Sequence, residues 1–244
     1  MAASVITLAE IPSLSRLYRT GKLPIRAATP TRTTSATSPI TSQVARPPVQ
    51  ALNDMVSLIK DDITRLKVDG IVNAANRALE GGGGVDGAIH RAAGGSQLRD
   101  ACKQLGGCET GEAKITPGFD LPSERVIHTV GPVYGLEYRR DPAGPERLLR
   151  SCYRRSLEVA ADRGVRSVAF SCVSTGIYGY PNEEAAYLAA DEVRLFLTAP
   201  ENAGKIERVI FCLFQDVDEE AYKEILPQIF PPTEEDISNL NNSV

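Results

Sequence analysis

Residues 73–90 have the sequence Asn73-Ala-Ala-Asn76-Arg-Ala-Leu-Glu-Gly81-Gly82-Gly83-Gly84-Val85-Asp86-Gly87-Ala-Ile-His90. Each glycine loses more backbone freedom on folding than any other residue, so a compact domain keeps four together where its backbone approaches something closely. Ile71-Val72 before this run predicts the end of a strand, and Asp86–Ala93 predicts a helix. A loop from a strand to a helix N-terminus offers free N–H groups and the positive end of a helix dipole, which suit a phosphate.

The glycine loop matches no standard nucleotide motif. It lacks the Gly-Lys-Ser/Thr ending of a Walker loop. Gly82-x-Gly84-x-x-Gly87 has the spacing of the dinucleotide fingerprint, but a glycine run satisfies many patterns. No strand ending in an acidic residue follows about 20 residues later, as that fingerprint requires. A dehydrogenase is therefore the weakest interpretation, and a mobile surface loop is the alternative when the loop is taken alone.

Composition excludes several classes of protein. The chain carries −4 overall and residues 1–50 carry +5, so the remainder carries −9, which argues against wrapping nucleic acid. The five cysteines have no Cys-x-x-Cys spacing and indicate buried thiols in a reducing compartment. Neither His90 nor His128 belongs to a Cys/His cluster with zinc spacing, so we predict no metal. No apolar run approaches the roughly 18 residues of a membrane span.

The chain divides into three predicted parts. Residues 1–50 form an N-terminal extension, with a short helix over 11–20 and then a flexible linker rich in Thr, Ser, Pro and Ala. Residues 51–230 form the main domain, and residues 231–244 form a polar tail that we expect to fray. The helix places Ile11, Leu14, Leu17 and Tyr18 on one face, which favours docking on the main domain. A mitochondrial transit peptide is the alternative interpretation of this basic, Ser/Thr-rich segment.

Strand and helix patterns alternate from Met55 onward. The predicted strands are Met55–Lys60, Gly70–Ala74, Ala113–Thr116, Arg125–Val130, Ser167–Val173 and Arg208–Phe214. The predicted helices are Asp86–Ala93, Ser96–Leu105, Pro145–Arg163, Asn182–Leu197 and Glu219–Phe230. Continuous apolar strands indicate burial on both faces. The alternation therefore predicts an α/β fold with one sheet covered by helices on both sides.

Other strand ends carry further candidate contacts. A second loop runs from a strand end to a helix start with the sequence Ser174-Thr175-Gly176-Ile177-Tyr178-Gly179-Tyr180-Pro181. Ligands of open α/β sheets bind outside the carboxyl ends of strands, and two such loops suit a pyrophosphate better than one. An ordinary strand–helix turn is the alternative. Asp62 could accept a hydrogen bond from an exocyclic amine or cap a turn, and Phe214 could stack on a base or belong to the core.

Together these segments resemble a macrodomain, and specifically the MacroD-type mono-ADP-ribosyl hydrolases. The matching segments are Asp62-Ile63-Thr64, Ile71–Asn76, Gly81–Ala93, Gly111–Thr116, Val126–Pro132, Ser174–Pro181 and Phe211–Phe214. They cover roughly residues 54–230 in unbroken order. The resemblance implies a three-layer α/β/α fold with a central mixed sheet, ADP-ribose in a cleft above the sheet, and no cofactor or metal.

The resemblance assigns roles at the nucleotide end of the cleft. Asp62 would hold the adenine amine beside the Ile63 backbone, and Phe214 would flank the base. Two loops would embrace the diphosphate, and their residues are Gly83, Gly84, Val85, Ser174, Thr175, Gly176, Ile177 and Tyr178. The chain departs from the family in having Asp61 where glycine is usual. A second carboxylate there predicts slightly weaker affinity through charge repulsion, unless it points to water.

The resemblance also assigns roles at the distal ribose. Tyr178 would pack against this ribose, Asn76 would bond to its hydroxyls, Asp86 would face the anomeric carbon and His90 would support Asp86. The side chains agree, because residues 86 and 90 share one helix face. A helix cap at Asp86, a satisfied core histidine at His90 and a turn residue at Asn76 are the alternatives. Asn73 is expected only to tie the strand end.

The predicted reaction is hydrolysis at the anomeric carbon of the distal ribose, or at an ester carbonyl attached there. Asp86 would position or deprotonate a water, and the substrate's own diphosphate would assist. Glycosidases use two carboxylates because the leaving oxygen must be protonated, whereas a carboxylate leaving group is already stable as an anion. The expected substrates are therefore ADP-ribose on acidic side chains and O-acetyl-ADP-ribose, with arginine-linked ADP-ribose a poor one.

The expected partners follow from this chemistry. They are ADP-ribose, ADP-ribosylated proteins and O-acetyl-ADP-ribose, with no membrane and with nucleic acid only through ADP-ribosylated ends. We expect a monomer in the cytoplasm or nucleus, with the mitochondrion as the alternative from the basic N-terminus. Two rival functions use the same cleft: a non-catalytic ADP-ribose reader and a phosphatase acting on ADP-ribose 1″-phosphate.

Overall fold

The computed structural model describes residues 4–25 and 46–241. The linker predicted for residues 24–50 therefore lies outside the described residues from 26 to 45, and so does the end of the tail from 242 onward. The described strands are β1 (Ile6–Thr7), β2 (Val56–Lys60), β3 (Leu66–Lys67), β4 (Gly70–Ala74), β5 (Ala113–Pro117), β6 (Arg125–Thr129), β7 (Ser167–Phe170) and β8 (Arg208–Leu213). The described helices are α1 (Leu14–Arg19), α2 (Gln50–Met55), α3 (Gly84–Ala92), α4 (Ser96–Gln104), α5 (Tyr134–Arg140), α6 (Gly144–Asp162), α7 (Asn182–Thr198), α8 (Asp216–Ile229) and α9 (Glu234–Asn241).

Six strands form one mixed sheet in the order β2-β8-β7-β4-β6-β5. All neighbouring pairs are parallel except β5 and β6, which are antiparallel. A parallel pair needs a crossover connection, and the long helices of the chain supply it. The carboxyl ends of β2, β8, β7 and β4 therefore point to the same edge of the sheet. The short strands β1 and β3 form a separate parallel pair.

Neighbouring strand residues alternate between two hydrophobic cores, one on each face of the sheet. Val72 and Phe170 belong to the larger core, with residues of α1, α2, α6, α7 and α8. Ile71 and Ala169 belong to the smaller core, with residues of α3 and α4. Adjacent strand side chains point to opposite faces, so continuous apolar strands fill both cores. The predicted three-layer α/β/α fold with a mixed sheet is confirmed.

The segments that flank the main domain pack onto it. The helix predicted over 11–20 spans Leu14–Arg19, and Leu14 and Tyr18 are fully buried in the larger core. The Tyr18 hydroxyl donates to the carbonyl of Phe230 at 2.7 Å. The prediction that the tail frays is wrong for α9, because its Asp236 is fully buried and accepts a hydrogen bond from the Asn53 amide at 3.2 Å. The domain division at residues 50 and 230 stays a prediction.

Helices α2 and α5, like α9, were not predicted from the sequence, for physical reasons. The linker prediction is wrong for residue 50, where α2 begins. This short helix depends on tertiary contacts, such as the hydrogen bond from the Asn53 amide to the Pro231 carbonyl at 2.9 Å. No residue of the helix α5 is fully buried, and its Tyr134 packs on the larger core while partly exposed, so its apolar pattern is weak. The strand predicted to reach 173 ends at Phe170. There the Ser171 hydroxyl donates to the Val72 carbonyl at 2.9 Å and replaces a backbone hydrogen bond between the strands.

Within residues 4–25 and 46–241, no helix combines the length and apolarity needed to cross a membrane.

Candidate functional site

Four adjacent strand ends carry the candidate residues in a fixed order across the sheet. Asp62 follows β2, Phe214 follows β8, the loop over 174–181 follows β7, and Asn76 follows β4. Neighbouring strands lie about 4.8 Å apart, so these four ends span about 14 Å. The arrangement is a row of contacts suited to an elongated ligand lying along the sheet edge.

The glycine run forms the N-terminus of α3. The helix begins at Gly84, two residues earlier than predicted. Its N-cap residue is Gly83, which has no side chain to cap the helix. The first N–H groups of any helix have no hydrogen-bond partner within that helix. In α3 the first N–H group that makes a backbone hydrogen bond is that of Gly87, which donates to the Gly83 carbonyl at 3.4 Å. A methyl group on Gly87 would lie 2.2 Å from the Gly82 carbonyl oxygen, so only glycine allows this close turn. The amides at 84–86 are open to an anion.

The second loop faces the first. A Cβ added to Gly83 would lie 3.7 Å from Cδ1 of Ile177, whose side chain is 86% exposed. The backbone N–H groups of residues 175–178 donate to no other described residue. Ser174 adopts a φ of 68°, a strained conformation for a residue with a side chain, which is typical of functional sites. Two loops with unbonded backbone amides therefore lie next to each other.

The loop over 174–181 is anchored from outside that space. The Thr175 hydroxyl and the Asn182 amide both donate to Oδ1 of the buried Asp218, at 3.2 and 2.7 Å. The carbonyl of Tyr178 accepts the N–H of Tyr134 at 3.0 Å. Thr175 therefore has its backbone, rather than its hydroxyl, to offer a ligand. Gly176 is exposed and Tyr178 is half-buried beside it.

The strand end after β2 presents a carboxylate in a fixed orientation. Asp62 caps a short 3₁₀ turn, and its Oδ1 accepts the N–H and the hydroxyl of Thr64 at 2.9 and 2.7 Å. Its second oxygen accepts no hydrogen bond from any described residue. Asp62 can therefore cap this turn with Oδ1 and accept a hydrogen bond from a ligand with its other oxygen. Phe214 is 74% exposed, which excludes the core role, and the buried Ile63 lies beside Asp62 with its backbone N–H unbonded within the described chain.

The Asp86 carboxylate is held by amides from the other side of the glycine run. Asp86 is the third residue of α3 and is buried, so it is not the helix cap. Its Oδ1 accepts from Nδ2 of Asn73 at 2.8 Å, and its Oδ2 accepts from Nδ2 of Asn76 at 3.4 Å. The same Asn76 nitrogen donates to the Gly81 carbonyl at 2.8 Å. The buried Oδ1 of Asn76 has no hydrogen-bond partner in the described chain.

His90 differs from an ordinary core histidine. It is buried, and neither ring nitrogen makes a hydrogen bond with a described residue. Its Nε2 lies 3.5 Å from Oδ1 of Asp86, and a Cβ added to Gly81 would lie 3.1 Å from its ring. Since buried polar groups are nearly always bonded, these free nitrogens favour a role with a ligand or water.

A buried chain of hydrogen bonds through Asn73, His128 and Thr116, called the relay below, lies next to the Asp86 carboxylate. Asn73 Nδ2 lies 3.2 Å from Nδ1 of His128, and Nε2 of that ring lies 2.9 Å from the Thr116 hydroxyl. Because an amide nitrogen only donates, Nδ1 of His128 is the acceptor and Nε2 carries the proton; this tautomer is assigned from the network. Asn73 ties the strand end as expected, and its side chain does so by joining Asp86 to His128.

The ionisation of the site follows from burial. Burial raises the pKa of Asp86 above its usual value, while the Asn73 hydrogen bond and nearby His90 oppose this shift. Burial lowers the pKa of His90 and lowers that of His128 to about 3. Both rings are therefore neutral near pH 7, and the carboxyl of Asp86 takes up its proton at a higher pH than an exposed aspartate does.

His90, Cys102 and His128 bring three possible metal ligand atoms within 4.8 Å of one another, which the sequence spacing did not indicate. A metal ligand must present a lone pair or a thiolate. Nε2 of His128 instead carries the proton that is donated to Thr116. Burial also raises the pKa of the Cys102 thiol to about 11. A bound ion would itself deprotonate a coordinating thiol, so the absence of a metal stays a prediction.

The contacts near Asp86 that sequence reasoning missed are those that join Asn73, His128 and Thr116. Their contacts depend on strand pairing, because Asn73 on β4 lies opposite His128 on β6, 55 positions later in the chain. The usable signal was the polar character of three residues inside otherwise apolar strands. Such residues are costly to bury without partners, so they indicate a network at one depth of the sheet.

The fold defines an α/β protein with a row of unbonded backbone amides and polar side chains at the carboxyl edge of its sheet. Residues 72–189 match the model of the Macro domain. A macro domain-containing protein of Chlorobaculum tepidum is 55% identical over 174 residues, which cover 71% of this chain and 96% of that protein. The chain belongs to the macro domain family.

Further similarity extends to named enzymes and to ligand complexes. The ADP-ribose glycohydrolase MACROD2 of Xenopus laevis is 54% identical over 185 residues, which cover 74% of this chain. This chain spans only 42% of the length of that relative. The crystal structure of a Trypanosoma brucei macrodomain in complex with ADP-ribose aligns with a TM-score of 0.68 and 35% identity, over 91% of this chain and 77% of that one.

The relay predicts how the Asp86 carboxyl titrates. Asn73→Ala removes the hydrogen bond that lowers the pKa of Asp86, so the carboxyl should titrate at a higher pH than in the unmodified protein. The measurement is a carbon-13 NMR titration of the aspartate carboxyl signals. The control is Ser171→Ala, which also deletes one buried side-chain hydrogen bond but does not touch Asp86. Equal midpoints for Asn73→Ala and Ser171→Ala would show that the relay does not set this ionisation.

Proposed function

We propose that this chain is an ADP-ribose-binding hydrolase that removes mono-ADP-ribose from acidic side chains of proteins and deacetylates O-acetyl-ADP-ribose. The observation that carries the proposal is the Asp86 carboxylate, fixed by two amides under the glycine loop at one end of the sheet-edge cleft. The name of the Xenopus relative, an ADP-ribose glycohydrolase, supports the same class of reaction.

Binding of ADP-ribose rests on the order of the strand ends. Asp62 and Phe214 offer an acceptor and an exposed aromatic face to adenine at the β2–β8 end. The amides of 84–86 and 175–178 surround the position of the diphosphate in the middle. A helix N-terminus stabilises negative charge through its N–H groups and dipole, so no lysine or arginine is required. The distal ribose then falls at the β4 end, beside Asn76.

The proposed catalysis rests on Asn76 and Asp86, at the β4 end of the site. Oδ1 of Asn76, buried and without a partner in the described chain, is an acceptor for a ribose hydroxyl. Oδ1 of Asp86 accepts a hydrogen bond from Asn73, whereas Oδ2 makes a long contact of 3.4 Å with Asn76. Oδ2 can therefore accept a further hydrogen bond from a water. A raised pKa makes this carboxylate a better base at neutral pH than an exposed aspartate. His90, neutral and unbonded, lies within 3.5 Å to support the same carboxylate.

The Asp86 proposal predicts a separation of binding from turnover. Asp86→Asn keeps the shape and the contacts to ADP-ribose but removes the base, so hydrolysis should fall about 10²- to 10⁴-fold, the usual contribution of a general base. Calorimetric affinity for ADP-ribose should change little. The experiment compares both quantities in the unmodified chain and in the variant, with release of ADP-ribose from an ester-linked protein as the assay.

Three outcomes of that comparison contradict the proposal in different ways. Full turnover by Asp86→Asn would remove Asp86 from the reaction. Binding without turnover in the unmodified chain would indicate the non-catalytic reader. Release of inorganic phosphate from ADP-ribose 1″-phosphate, at a rate exceeding ester cleavage, would indicate the phosphatase.

The linkage preference is a second prediction. The described cleft offers Asp86 as a base but no second acidic side chain beside it to protonate a leaving group. A carboxylate leaves as a stable anion, whereas an arginine leaves poorly without an acid. We expect ester-linked ADP-ribose to be released at least about 10²-fold faster than arginine-linked ADP-ribose, the lower end of what a general acid contributes. Parallel assays on matched peptides measure this ratio, and equal rates would contradict the single-carboxylate mechanism.

Partners and location complete the proposal. The acyl chemistry favours ADP-ribosylated proteins and O-acetyl-ADP-ribose as substrates, and the acidic main domain limits nucleic acid to ADP-ribosylated ends. We propose a monomer that acts in the cytoplasm or nucleus, with the mitochondrion as the alternative raised by the basic N-terminal residues. Fluorescence microscopy of the full chain tests the location.

A further inference from the structure

The carboxylate of Asp61 lies directly beside the proposed adenine contact. Its Oδ1 accepts the backbone N–H of Asp62 at 2.7 Å, and its side chain is only 22% exposed. The backbone N–H of Asp61 is itself fixed by the Leu213 carbonyl at 2.9 Å, next to Phe214. Asp61 therefore does not point freely into water, and its negative charge adds to that of Asp62.

Arg65 neutralises this second carboxylate from one turn away. Its Nη1 donates to Oδ1 of Asp61 at 2.6 Å, and its side chain is 28% exposed. The rest of the guanidinium is engaged as well, because Nε donates to the Ser4 carbonyl at 2.9 Å and Nη2 donates to the Ser4 hydroxyl at 3.0 Å. A guanidinium with all three nitrogens bonded keeps a defined orientation.

The N-terminal segment holds Ser4 in place for this contact. Just after Ser4, Ile6–Thr7 pairs in parallel with Leu66–Lys67, the strand that directly follows Arg65. Ile11 further along is buried in the smaller core. The segment before α1 is therefore part of the support for Arg65, and through Arg65 it reaches the nucleotide end of the cleft.

We propose that Arg65, held by Ser4, is a positioning residue for the adenine end of the site: it neutralises Asp61 so that Asp62 alone faces the base. This inference rests on the proposed function, since it needs ADP-ribose in the cleft. Without Arg65, two adjacent carboxylates would repel each other and the anionic diphosphate of the ligand. The contact also gives the N-terminal extension a role in nucleotide affinity.

The test compares ADP-ribose affinity in the unmodified chain, in Arg65→Ala and in the double variant that also carries Asp61→Asn. Arg65→Ala should raise the Kd for ADP-ribose about three- to fivefold, the upper part of the range for a partly exposed charge pair. Asp61→Asn in the Arg65→Ala background should restore the Kd to within about twofold of the unmodified chain, because the unpaired charge is gone while the side-chain oxygen still accepts the Asp62 N–H. The penalty of Arg65→Ala should also shrink in about 1 M salt, where the Debye length is about 3 Å.

The matched control is Arg166→Ala. It removes an arginine of equal charge from an exposed pair with Glu207, at the amino end of β7 and thus at the opposite edge of the sheet. It should leave the Kd unchanged. Thermal unfolding of each variant shows whether a change in Kd reflects loss of the folded protein.

The outcomes separate this inference from the proposed function. If the unmodified chain binds ADP-ribose and Arg65→Ala binds equally well, only the inference on Arg65 is overturned. If Arg65→Ala binds weakly but Asp61→Asn does not rescue it, Arg65 does not act through Asp61, and the inference is again overturned. If the unmodified chain fails to bind ADP-ribose, the proposed function and this inference both fall.

Discussion

The hydrogen bond from Asn73 to Asp86 is the contact on which the site depends. It joins the end of β4 to the first turn of α3 across the glycine run, and so fixes where the helix begins relative to the sheet. The same amide nitrogen contacts His128, which places the bond on top of a buried polar relay. A carboxylate that is buried and held in this way keeps one orientation, and preorganisation of this kind is what a hydrolytic site requires. Glycine at 82 and 87 lets the backbone close over it, because any side chain at 87 would collide with the Gly82 carbonyl.

The electrostatics of the proposed site suit an anion although the protein is acidic. The main domain and tail carry most of the negative charge of the chain, and the candidate residues include no lysine or arginine. The positive partners are backbone N–H groups at the start of α3 and in the loop over 174–181. These partial charges attract a diphosphate without raising the net charge of the protein, which keeps nucleic acid a poor competitor. Arg65 acts in the same direction at the adenine end, since it cancels the charge of Asp61.

Sequence patterns predicted most of the strands and helices of the main domain, but not the contacts between distant strands. The strand at Gly70–Ala74 has the predicted bounds, because apolar β-branched residues and a following turn define a buried strand locally. The helix α5 was missed because none of its residues is fully buried, and α9 was missed because the buried Asp236 is stabilised by distant partners. Asp86 and His90 could be predicted from their spacing on one helix. Asn73 and His128 could not be joined, because their contact depends on the pairing of β4 with β6, which no local pattern specifies.

A crystal structure of the chain with ADP-ribose tests the central claim most directly. The account predicts that the diphosphate accepts hydrogen bonds, at about 3 Å, from the backbone N–H groups at the start of α3 and in the loop over 174–181. It also predicts the distal ribose beside Asn76, with a water between its anomeric carbon and the Asp86 carboxylate. A diphosphate bound away from these amides, or an Asp86 carboxylate turned away from the distal ribose, would contradict it.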